Sequence, residues 1–380
     1  MKLAFAVLLL IPRAGSTQAA PTRTVDTVRI ARAVSAWMQQ HRAPALSVAI
    51  ALDGQPAWSS GFGLADPAHG VVATSHTSYR LASVTKSITA TAVMMLAEKG
   101  VIDLDAPIQK YCPAYPAKRW PITARLLLAH LAGVRHHSIR EAMWPNTRHY
   151  ESVTSALEHF KNDDLKTQPG TEYNYSSLGY TILGCAIEGA SGTSYASFVR
   201  EHIFAPSGMI NTMPDDARTP NPSGTAYFGK GRVYKVTGKF ARRTSAQSID
   251  VSDRLPAGGL LSTVDDMMRF AVAVQNGHLV RDSTRELMWT RQRTSDGKPL
   301  QFYGLGWLVG EADSLRPKRV WNDGMQPGTR TFLYLRPTQG IIIALMTNMD
   351  GAMCEELIPR ILEAIGQRQG APRASGPTLR

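Results

Sequence analysis

The sequence has few cysteines and none of the common metal-binding patterns. Its 380 residues include only Cys112, Cys185 and Cys354, which form neither a CxxC pair nor a cluster with histidine. A structural zinc site is therefore not expected. The odd number leaves at least one thiol unpaired, and the spacing leaves the disulfide pairing open. Cys185 lies in the apolar stretch YTILGCAIEGA, where we expect it to pack in the core.

Several catalytic signatures are also missing. There is no HExxH and no GxSxG, which argues against a zinc protease and an α/β-hydrolase. The stretch GFGLAD lacks the third glycine of a dinucleotide-binding loop. His136 and His137 have no partnered ligands in sequence and are interpreted as a loop pair, while Asp103 and Asp105 fit capping better than paired-carboxylate catalysis. No metal or organic cofactor is expected.

The sequence has no dense basic run and no long apolar run. The net charge is +12, yet no Lys/Arg cluster or nucleic-acid motif accompanies it, so we expect no nucleic-acid partner. No segment approaches the roughly 18 apolar residues of a membrane-spanning helix. Hydrophobic residues make up 43% and charged residues 19% of the chain, values that are typical of a folded globular protein.

The N-terminus MKLAFAVLLLIPRAGSTQAAPTR has the pattern of a secretory signal peptide. Lys2 precedes a short apolar run, and small residues follow, so residues 1–20 are predicted to be removed. This predicts a periplasmic or secreted protein. A mitochondrial presequence is the alternative, because no acidic residue precedes Asp26.

Strand patterns occur at both ends of the chain and helical patterns between them. ALSVAIALDGQPAWSSGFGLAD predicts a hairpin turning at Asp53 and Gly54, and TFLYLRP and GIIIALMTN predict strands near the C-terminus. We therefore predict an α+β fold in which an antiparallel sheet from both chain ends is flanked by helices, with a mainly helical insertion at about 101–213. One domain spans 25–365, residues 366–380 form a disordered tail, and a substrate cleft lies between sheet and insertion.

The stretch YRLASVTKSITATAV carries a Ser-x-x-Lys pattern, Ser83 and Lys86, at the start of an apolar helix. A second match, Ser295 to Lys298, lies in a polar turn. Residues three apart share one helix face, so the Lys86 amine could take the proton of the Ser83 hydroxyl if burial lowered its pKa. The alternative interpretation is that Ser83 only caps the helix and Lys86 faces solvent.

Five segments in order resemble the serine β-lactamase and penicillin-binding protein superfamily, specifically its class C β-lactamase-like branch. That branch includes D-alanyl-D-alanine carboxypeptidases, ester hydrolases and LACTB-type proteases. The likeness covers nearly all of residues 44–365 and implies a β-lactamase/transpeptidase-like fold. The segments are YRLASVTKSITATAVMMLAEKGVIDLDAPIQKY, ITARLLLAHLAGV, PGTEYNYSSLGYTILGCAIEGASGTSY, AGGLLSTVDDMMRF and YGLGW.

The resemblance implies catalytic roles for three residues. Ser83 would be the acylated nucleophile, Lys86 its proton acceptor, and Tyr175 a phenolate general base that passes the proton to the leaving group. The family pattern Tyr-x-Asn reads Tyr175-Ser176-Ser177 here. LACTB-like members are similar to this sequence at that point, so the change does not argue against activity. It does weaken the case for a true β-lactamase.

The third family motif, Lys-Thr-Gly or His-x-Gly, reads Asn322-Asp323-Gly324 here, so the expected cation is absent. Asn322 can donate a hydrogen bond but carries no charge. Gly324 lets the backbone approach the substrate, and the resemblance implies that the Met325 N–H joins that of Ser83 in an oxyanion hole. Arg330 lies nearby in sequence as a candidate charge. We expect a reduced preference for carboxylate-bearing substrates such as penicillins.

Together these residues predict a serine hydrolase that forms an acyl-enzyme on a small ester, peptide or β-lactam-like substrate. One alternative is a true class C-type β-lactamase or D-Ala-D-Ala carboxypeptidase. The other is a weakly active, penicillin-receptor-like binding protein, which the missing cation motivates. The natural substrate and the oligomeric state stay open.

Overall fold

The computed structural model describes residues 23–138, 141, 148–216 and 249–366. The predicted signal peptide and the predicted tail beyond Gly366 lie outside the described residues, as does most of the polar stretch 211–249. Among the described helices, none combines the length and apolar character needed to cross a bilayer.

Within the described residues, ten strands form two antiparallel sheets. The large sheet has the order β3-β2-β1-β10-β9-β8-β7, and the small one has the order β4-β6-β5. The large sheet is thus built from the first and the last strands of the chain, as predicted. The strands are β1 (Ala45–Leu52), β2 (Gln55–Asp66), β3 (Val71–Val72), β4 (Tyr79–Arg80), β5 (Met213–Pro214), β6 (Leu260–Ser262), β7 (Leu308–Gly310), β8 (Arg319–Gln326), β9 (Thr329–Arg336) and β10 (Ile341–Thr347).

Helices cover both faces of the large sheet. Most of them come from the part of the chain between β3 and β7. The α-helices are α1 (Thr27–His41), α2 (Thr85–Glu98), α3 (Ala124–Leu128), α4 (Val153–Ala156), α5 (Ser177–Ser191), α6 (Tyr195–Val199), α7 (Ala205–Ser207), α8 (Leu255–Gly258), α9 (Val264–Gln275), α10 (Asp282–Met288) and α11 (Ile358–Glu363). A π-helical turn spans Arg200–Phe204. Short 3-10 turns span Ala82–Val84, Ile108–Lys110, Leu157–His159, Ser252–Arg254, Pro337–Gln339 and Cys354–Leu357.

The central strands β1 and β10 are buried on both faces, which explains their nearly continuous apolar sequences. Alternate residues of β1 face opposite layers. Val48 and Ile50 pack with Ile30 of α1 and Ile361 of α11. Ala49 belongs instead to the larger core formed with the remaining helices. The predicted α+β architecture is therefore confirmed.

Local signals placed several element ends correctly. Asp53 and Gly54 both have positive φ, 52° and 78°, and form the turn between β1 and β2. Thr263 caps α9 by accepting a hydrogen bond from the Asp266 N–H at 3.2 Å. The YGLGW segment is irregular, and β7 begins directly after it, at Leu308–Gly310.

A disulfide joins Cys112 to Cys185 of α5 across 73 residues of sequence. Cys185 is buried as expected, but it does more than pack in the core. Its disulfide links α5 covalently to the segment that follows the 3-10 turn Ile108–Lys110. Cys354 is a free, buried cysteine. In extracytoplasmic proteins a cross-link of this loop length typically stabilises the fold by about 2–4 kcal/mol.

Candidate active site

Ser83 lies in the short 3-10 turn that joins β4 to α2. The preceding residue, Ala82, has a φ of 48°, an uncommon left-handed conformation for a residue with a Cβ. The turn is held in place from both sides: Leu81 N–H donates to the Leu260 carbonyl at 2.8 Å, and Thr331 Oγ1 donates to the Leu81 carbonyl at 2.8 Å. Such a strained backbone persists only where its surroundings fix it, and it is frequent at catalytic sites.

Lys86 is almost completely buried at 1% exposure, and its amine faces Ser83. The Nζ atom lies 3.2 Å from Ser83 Oγ, 3.2 Å from Ser177 Oγ and 2.8 Å from the Ala257 carbonyl oxygen. A neutral amine has two protons and one lone pair. It can therefore donate to Ala257 and Ser177 while accepting the proton of Ser83. The solvent-facing lysine of the capping interpretation does not occur.

The surroundings of Lys86 favour this neutral form. Burial lowers its pKa to about 7, and the positive charge of Arg254 contributes to the decrease, while Asp323 acts in the opposite direction. Arg254 is itself held by two hydrogen bonds to Asp253, at 2.8 and 2.9 Å. A substantial fraction of Lys86 is thus uncharged near neutral pH.

Tyr175 and Ser177 reach Ser83 from the N-terminal end of α5. Tyr175 OH donates to Ser83 Oγ at 2.8 Å, and Ser177 lies close enough to Tyr175 to lower the pKa of the phenol. Ser176 caps the helix by accepting the Gly179 N–H at 2.9 Å, which fixes the segment that carries both side chains. We call Lys86, Tyr175 and Ser177 the helical wall of the cleft.

The electrostatics of Tyr175 differ from the phenolate base that the resemblance implies. Burial raises its pKa well above the ordinary value of 10.0, and the nearby charge of Asp323 raises it further, while the interactions with Ser83 and Ser177 act in the opposite direction. Tyr175 is therefore a phenol in the free protein. Lys86 is the group whose pKa suits a base at neutral pH.

Two histidines that the sequence did not single out as functional lie directly behind Tyr175. The ring centroids of His130 and Tyr175 are 4.4 Å apart, and His130 accepts the Ser176 N–H at 3.1 Å through Nδ1. His136 accepts the Ser177 N–H at 3.2 Å. Burial lowers the pKa of both rings, to about 4 for His136, so both are neutral acceptors that position the α5 N-terminus. The sequence feature that could have identified His130 is its position in the apolar segment ITARLLLAHLAGV.

The opposite side of the cleft is the end of β8, residues 322–325, which we call the strand wall. Here the backbone packs directly on the nucleophile turn. A Cβ added to Gly324 would lie 2.4 Å from the Leu81 carbonyl oxygen and 3.0 Å from Ser83 N. Only glycine permits this approach. The strand wall and the nucleophile are thereby fixed relative to each other.

The pairing of β8 leaves the Met325 N–H facing the cleft. Gln326 and Thr329 flank a two-residue turn and form a hydrogen-bonded pair, so Met325 and Arg330 form the next, non-hydrogen-bonded pair. The Met325 N–H therefore points away from β9. On that side β7 pairs only with Arg319 to Trp321. Met325 and Ser83 thus offer two backbone donors to a developing oxyanion.

Asn322 does not point at the substrate position as the sequence led us to expect. Its Nδ2 donates to the Gly306 carbonyl at 2.8 Å, and the side chain is buried. Arg330 does not supply the missing cation either, because its guanidinium is bound by Glu355 in a close contact and lies 3.2 Å from Asp323. The strand wall therefore contributes backbone donors and a carboxylate.

No group of three or more His, Cys, Asp or Glu side chains in the described part of the chain is arranged to hold a metal ion. His137 lies 3.5 Å from Asp253 and stacks on His159 at 6.3 Å between ring centroids. These side chains support the loop behind the helical wall.

Comparison with known sequences agrees with this geometry. Residues 30–364 match the family described as Beta-lactamase. The human serine beta-lactamase-like protein LACTB, mitochondrial, is 26% identical over 415 aligned residues, which cover 81% of this chain and 74% of the relative. The putative penicillin-binding protein PbpX of Bacillus subtilis is 27% identical, covering 79% of this chain and 70% of the relative.

Solved structures show the same fold at lower sequence identity. The D-amino acid amidase of Ochrobactrum anthropi superposes with a TM-score of 0.73 at 21% identity, covering 88% of this chain and 98% of the amidase. The octameric penicillin-binding protein homologue of Pyrococcus abyssi superposes with a TM-score of 0.72 at 22% identity, covering 88% of this chain and 77% of the homologue.

Proposed function

Because the chain belongs to the beta-lactamase family, we propose that it is a serine hydrolase that forms an acyl-enzyme on Ser83. One observation carries the proposal. Ser83 Oγ lies within hydrogen-bond distance of both the Lys86 amine, at 3.2 Å, and the Tyr175 hydroxyl, at 2.8 Å. A nucleophile held between a base of suitable pKa and a proton donor is the arrangement that acyl transfer requires.

In the acylation step Lys86 takes the Ser83 proton as Oγ attacks the substrate carbonyl carbon. The carbonyl oxygen becomes an oxyanion and receives the N–H groups of Ser83 and Met325. Lys86 is well suited to this role because burial lowers its pKa to about 7. The ammonium that forms keeps its contacts to the Ala257 carbonyl and to Ser177 Oγ.

Collapse of the tetrahedral intermediate breaks the bond to the leaving group, which needs a proton. Tyr175 donates its hydroxyl proton to the departing oxygen or nitrogen. The proton on Lys86 then replaces it through Ser177, which contacts both Lys86 Nζ and Tyr175. Ser177 thus fills a proton-relay role where the family pattern has asparagine. Water then attacks the acyl-serine, with Lys86 again as base, and releases the acid.

We propose esters, amides or peptides that carry no carboxylate beside the scissile bond as the substrate class. A carboxylate-bearing substrate would meet Asp323 on the strand wall and would find neither a lysine nor a histidine there. This argues against penicillins and D-Ala termini as preferred substrates, since like charges disfavour binding. The Cys112–Cys185 disulfide supports our proposal of an extracytoplasmic, periplasmic or secreted location.

The proposal is tested by a turnover panel with the purified protein and its Ser83→Ala variant. We expect hydrolysis of p-nitrophenyl acetate or butyrate by the native protein, loss of that hydrolysis in Ser83→Ala, and slower turnover of a cephalosporin. Faster hydrolysis of the cephalosporin would favour a true β-lactamase. Binding of a lactam without any turnover across ester and peptide panels would favour the penicillin-receptor-like protein.

A further inference from the structure

Asp323 places a partly exposed carboxylate on the strand wall, one residue before Gly324. It is 38% exposed, whereas the Arg330 side chain behind it is only 9% exposed. Asp323 lies two residues from Met325, whose N–H faces the position of the reacting carbonyl. A substrate held in the oxyanion hole therefore extends past this carboxylate.

Arg330 does not neutralise the local negative charge. Its guanidinium lies 3.2 Å from Asp323 and makes a closer contact with Glu355, whose side chain is 22% exposed. Two carboxylates share one guanidinium, so the cluster carries one net negative charge. Because the guanidinium is the most buried of the three groups, the substrate meets the carboxylate first.

The field of Asp323 reaches the catalytic residues. Its charge raises the pKa of Tyr175 and of Tyr173, and it acts in the same direction on Lys86. These effects place Asp323 within electrostatic range of any charged group bound beside Ser83.

An aromatic wall adjoins this carboxylate. Tyr173, two residues before Tyr175, is 44% exposed, and its ring packs on Tyr303 at 5.6 Å between centroids. Both tyrosines line a cavity of about 280 Å³ together with Leu300, Phe302 and Leu308. The open faces of Tyr173 and Phe302 can pack against apolar groups and against an alkylammonium ion.

We propose that Asp323, with the aromatic face of Tyr173, selects esters or amides that carry a positively charged amine near the scissile bond. The inference rests on the proposed hydrolase function and names its substrate class more narrowly. The carboxylate attracts the ammonium and repels an acidic substrate, while the ring contacts its alkyl groups. A residue whose only task was to hold Arg330 would not discriminate substrates by charge.

Three thioesters with the same acyl group test this directly. Butyrylthiocholine is cationic, its 3,3-dimethylbutyl analogue is an uncharged isostere, and the butyryl thioester of 3-mercaptopropionate is anionic. Thiol release at pH 8 gives kcat/KM for each. We expect the native protein to favour the cationic over the uncharged thioester by roughly five- to tenfold and to disfavour the anionic one by a similar factor.

In Asp323→Asn the ratio of cationic to uncharged turnover should fall to about one, and in Asp323→Lys it should invert. Glu201→Gln is the matched control, because Glu201 is an exposed acid on the π-helical turn away from the cleft. It removes the same charge and should leave the ratio unchanged. The inhibition constants of choline and 3,3-dimethylbutanol, measured with the native protein, give the preference for the cationic over the uncharged group without any substitution at Asp323.

The outcomes of these measurements distinguish a failure of the Asp323 inference from a failure of the proposed hydrolase function. Equal turnover of all three thioesters, or an unchanged ratio in Asp323→Asn, would overturn the role of Asp323 and leave the hydrolase intact. Absence of all thioester turnover together with no acyl adduct on Ser83 would overturn both. Charge discrimination that Asp323→Asn abolishes, but Glu201→Gln does not, supports it.

Discussion

The two walls of the cleft differ in how far they follow the family pattern. The helical wall keeps a buried amine and a tyrosine beside the candidate nucleophile, with Ser83 Oγ 3.2 Å from Lys86 and 2.8 Å from Tyr175. The strand wall keeps the close-packed Gly324, but its cation is replaced by Asn322, which donates to the Gly306 carbonyl. The residues proposed to make and break bonds are thus retained, whereas the residues expected to choose the substrate have changed.

Because of this difference, acylation and recognition of a substrate carboxylate can be considered separately, although the family resemblance implies both. In the proposed mechanism acylation depends on the hydrogen bonds of Ser83 Oγ with Lys86 and Tyr175, in which Asn322 and Asp323 take no part. Recognition of a substrate carboxylate depends on a positive charge at the strand wall, where the exposed group is Asp323. A hydrolase with an altered substrate class explains why the helical wall follows the family pattern and the strand wall departs from it.

The largest effect is expected from removing the base or the nucleophile. Ser83→Ala and Lys86→Met should each lower kcat/KM for p-nitrophenyl butyrate by about a thousandfold or more, because each removes a group needed to form the acyl-enzyme. Thermal unfolding of each variant checks that it is folded. A folded Lys86→Met variant with more than a tenth of native activity would show that another group accepts the proton.

Tyr175→Phe should have the next largest effect, a loss of about a hundredfold in kcat, since it removes the leaving-group proton donor but keeps the ring on His130. Tyr195→Phe is the control. It removes a buried hydroxyl that pairs with Thr89 at 2.7 Å, about one helical turn after Lys86. If Tyr195→Phe reduced kcat as much as Tyr175→Phe, the loss would reflect disturbed packing of α2 rather than lost proton donation.

The pH dependence should show which residue is the base. Lys86 acts when neutral, so kcat/KM should rise with pH through about 7, the lowered pKa of Lys86, and fall about tenfold per pH unit below it. Tyr175 has a raised pKa and should add no ionisation near neutrality. Rates measured from pH 5 to 9 in a constant-ionic-strength buffer check this. A profile that has reached no plateau and is still rising at pH 9 would point to the Tyr175 phenolate instead.

The smallest catalytic effect is expected at Asn322. Asn322→Ala should lower kcat/KM for the uncharged ester less than tenfold, but it should reduce the free energy of unfolding by about 1–3 kcal/mol, because the Gly306 carbonyl loses a buried donor. Urea unfolding measures the second quantity. Asn276→Ala, which removes a longer contact of 3.4 Å to the Gly54 carbonyl, is the control. Loss of activity without loss of stability would indicate that Asn322 contacts the substrate.

Local spacing was sufficient for one part of the site, and long-range packing determined the rest. Ser83 and Lys86 share one helical turn, so their proximity follows from the sequence. The strand patterns also indicated that both chain ends build one antiparallel sheet, although they did not give the order of its strands. Tyr175 could be assigned only through the family resemblance, because 92 residues separate it from Ser83.

Other features depend on partners that no local pattern reveals. The bond from Asn322 to Gly306, the capture of Arg330 by Glu355 and the Cys112–Cys185 disulfide each join separate segments. The raised pKa of Tyr175 arises from burial, which a motif does not encode. For this reason sequence reasoning assigned the phenolate role that the structure argues against.

The central claim is that Ser83 is acylated, and trapping the intermediate tests it most directly. The protein is mixed with p-nitrophenyl butyrate, quenched in acid within seconds, and examined by intact-mass and peptide-mapping mass spectrometry. We predict a single butyryl adduct on Ser83 that is absent from Ser83→Ala. An adduct on another residue, or ester turnover that persists in Ser83→Ala, would contradict the account.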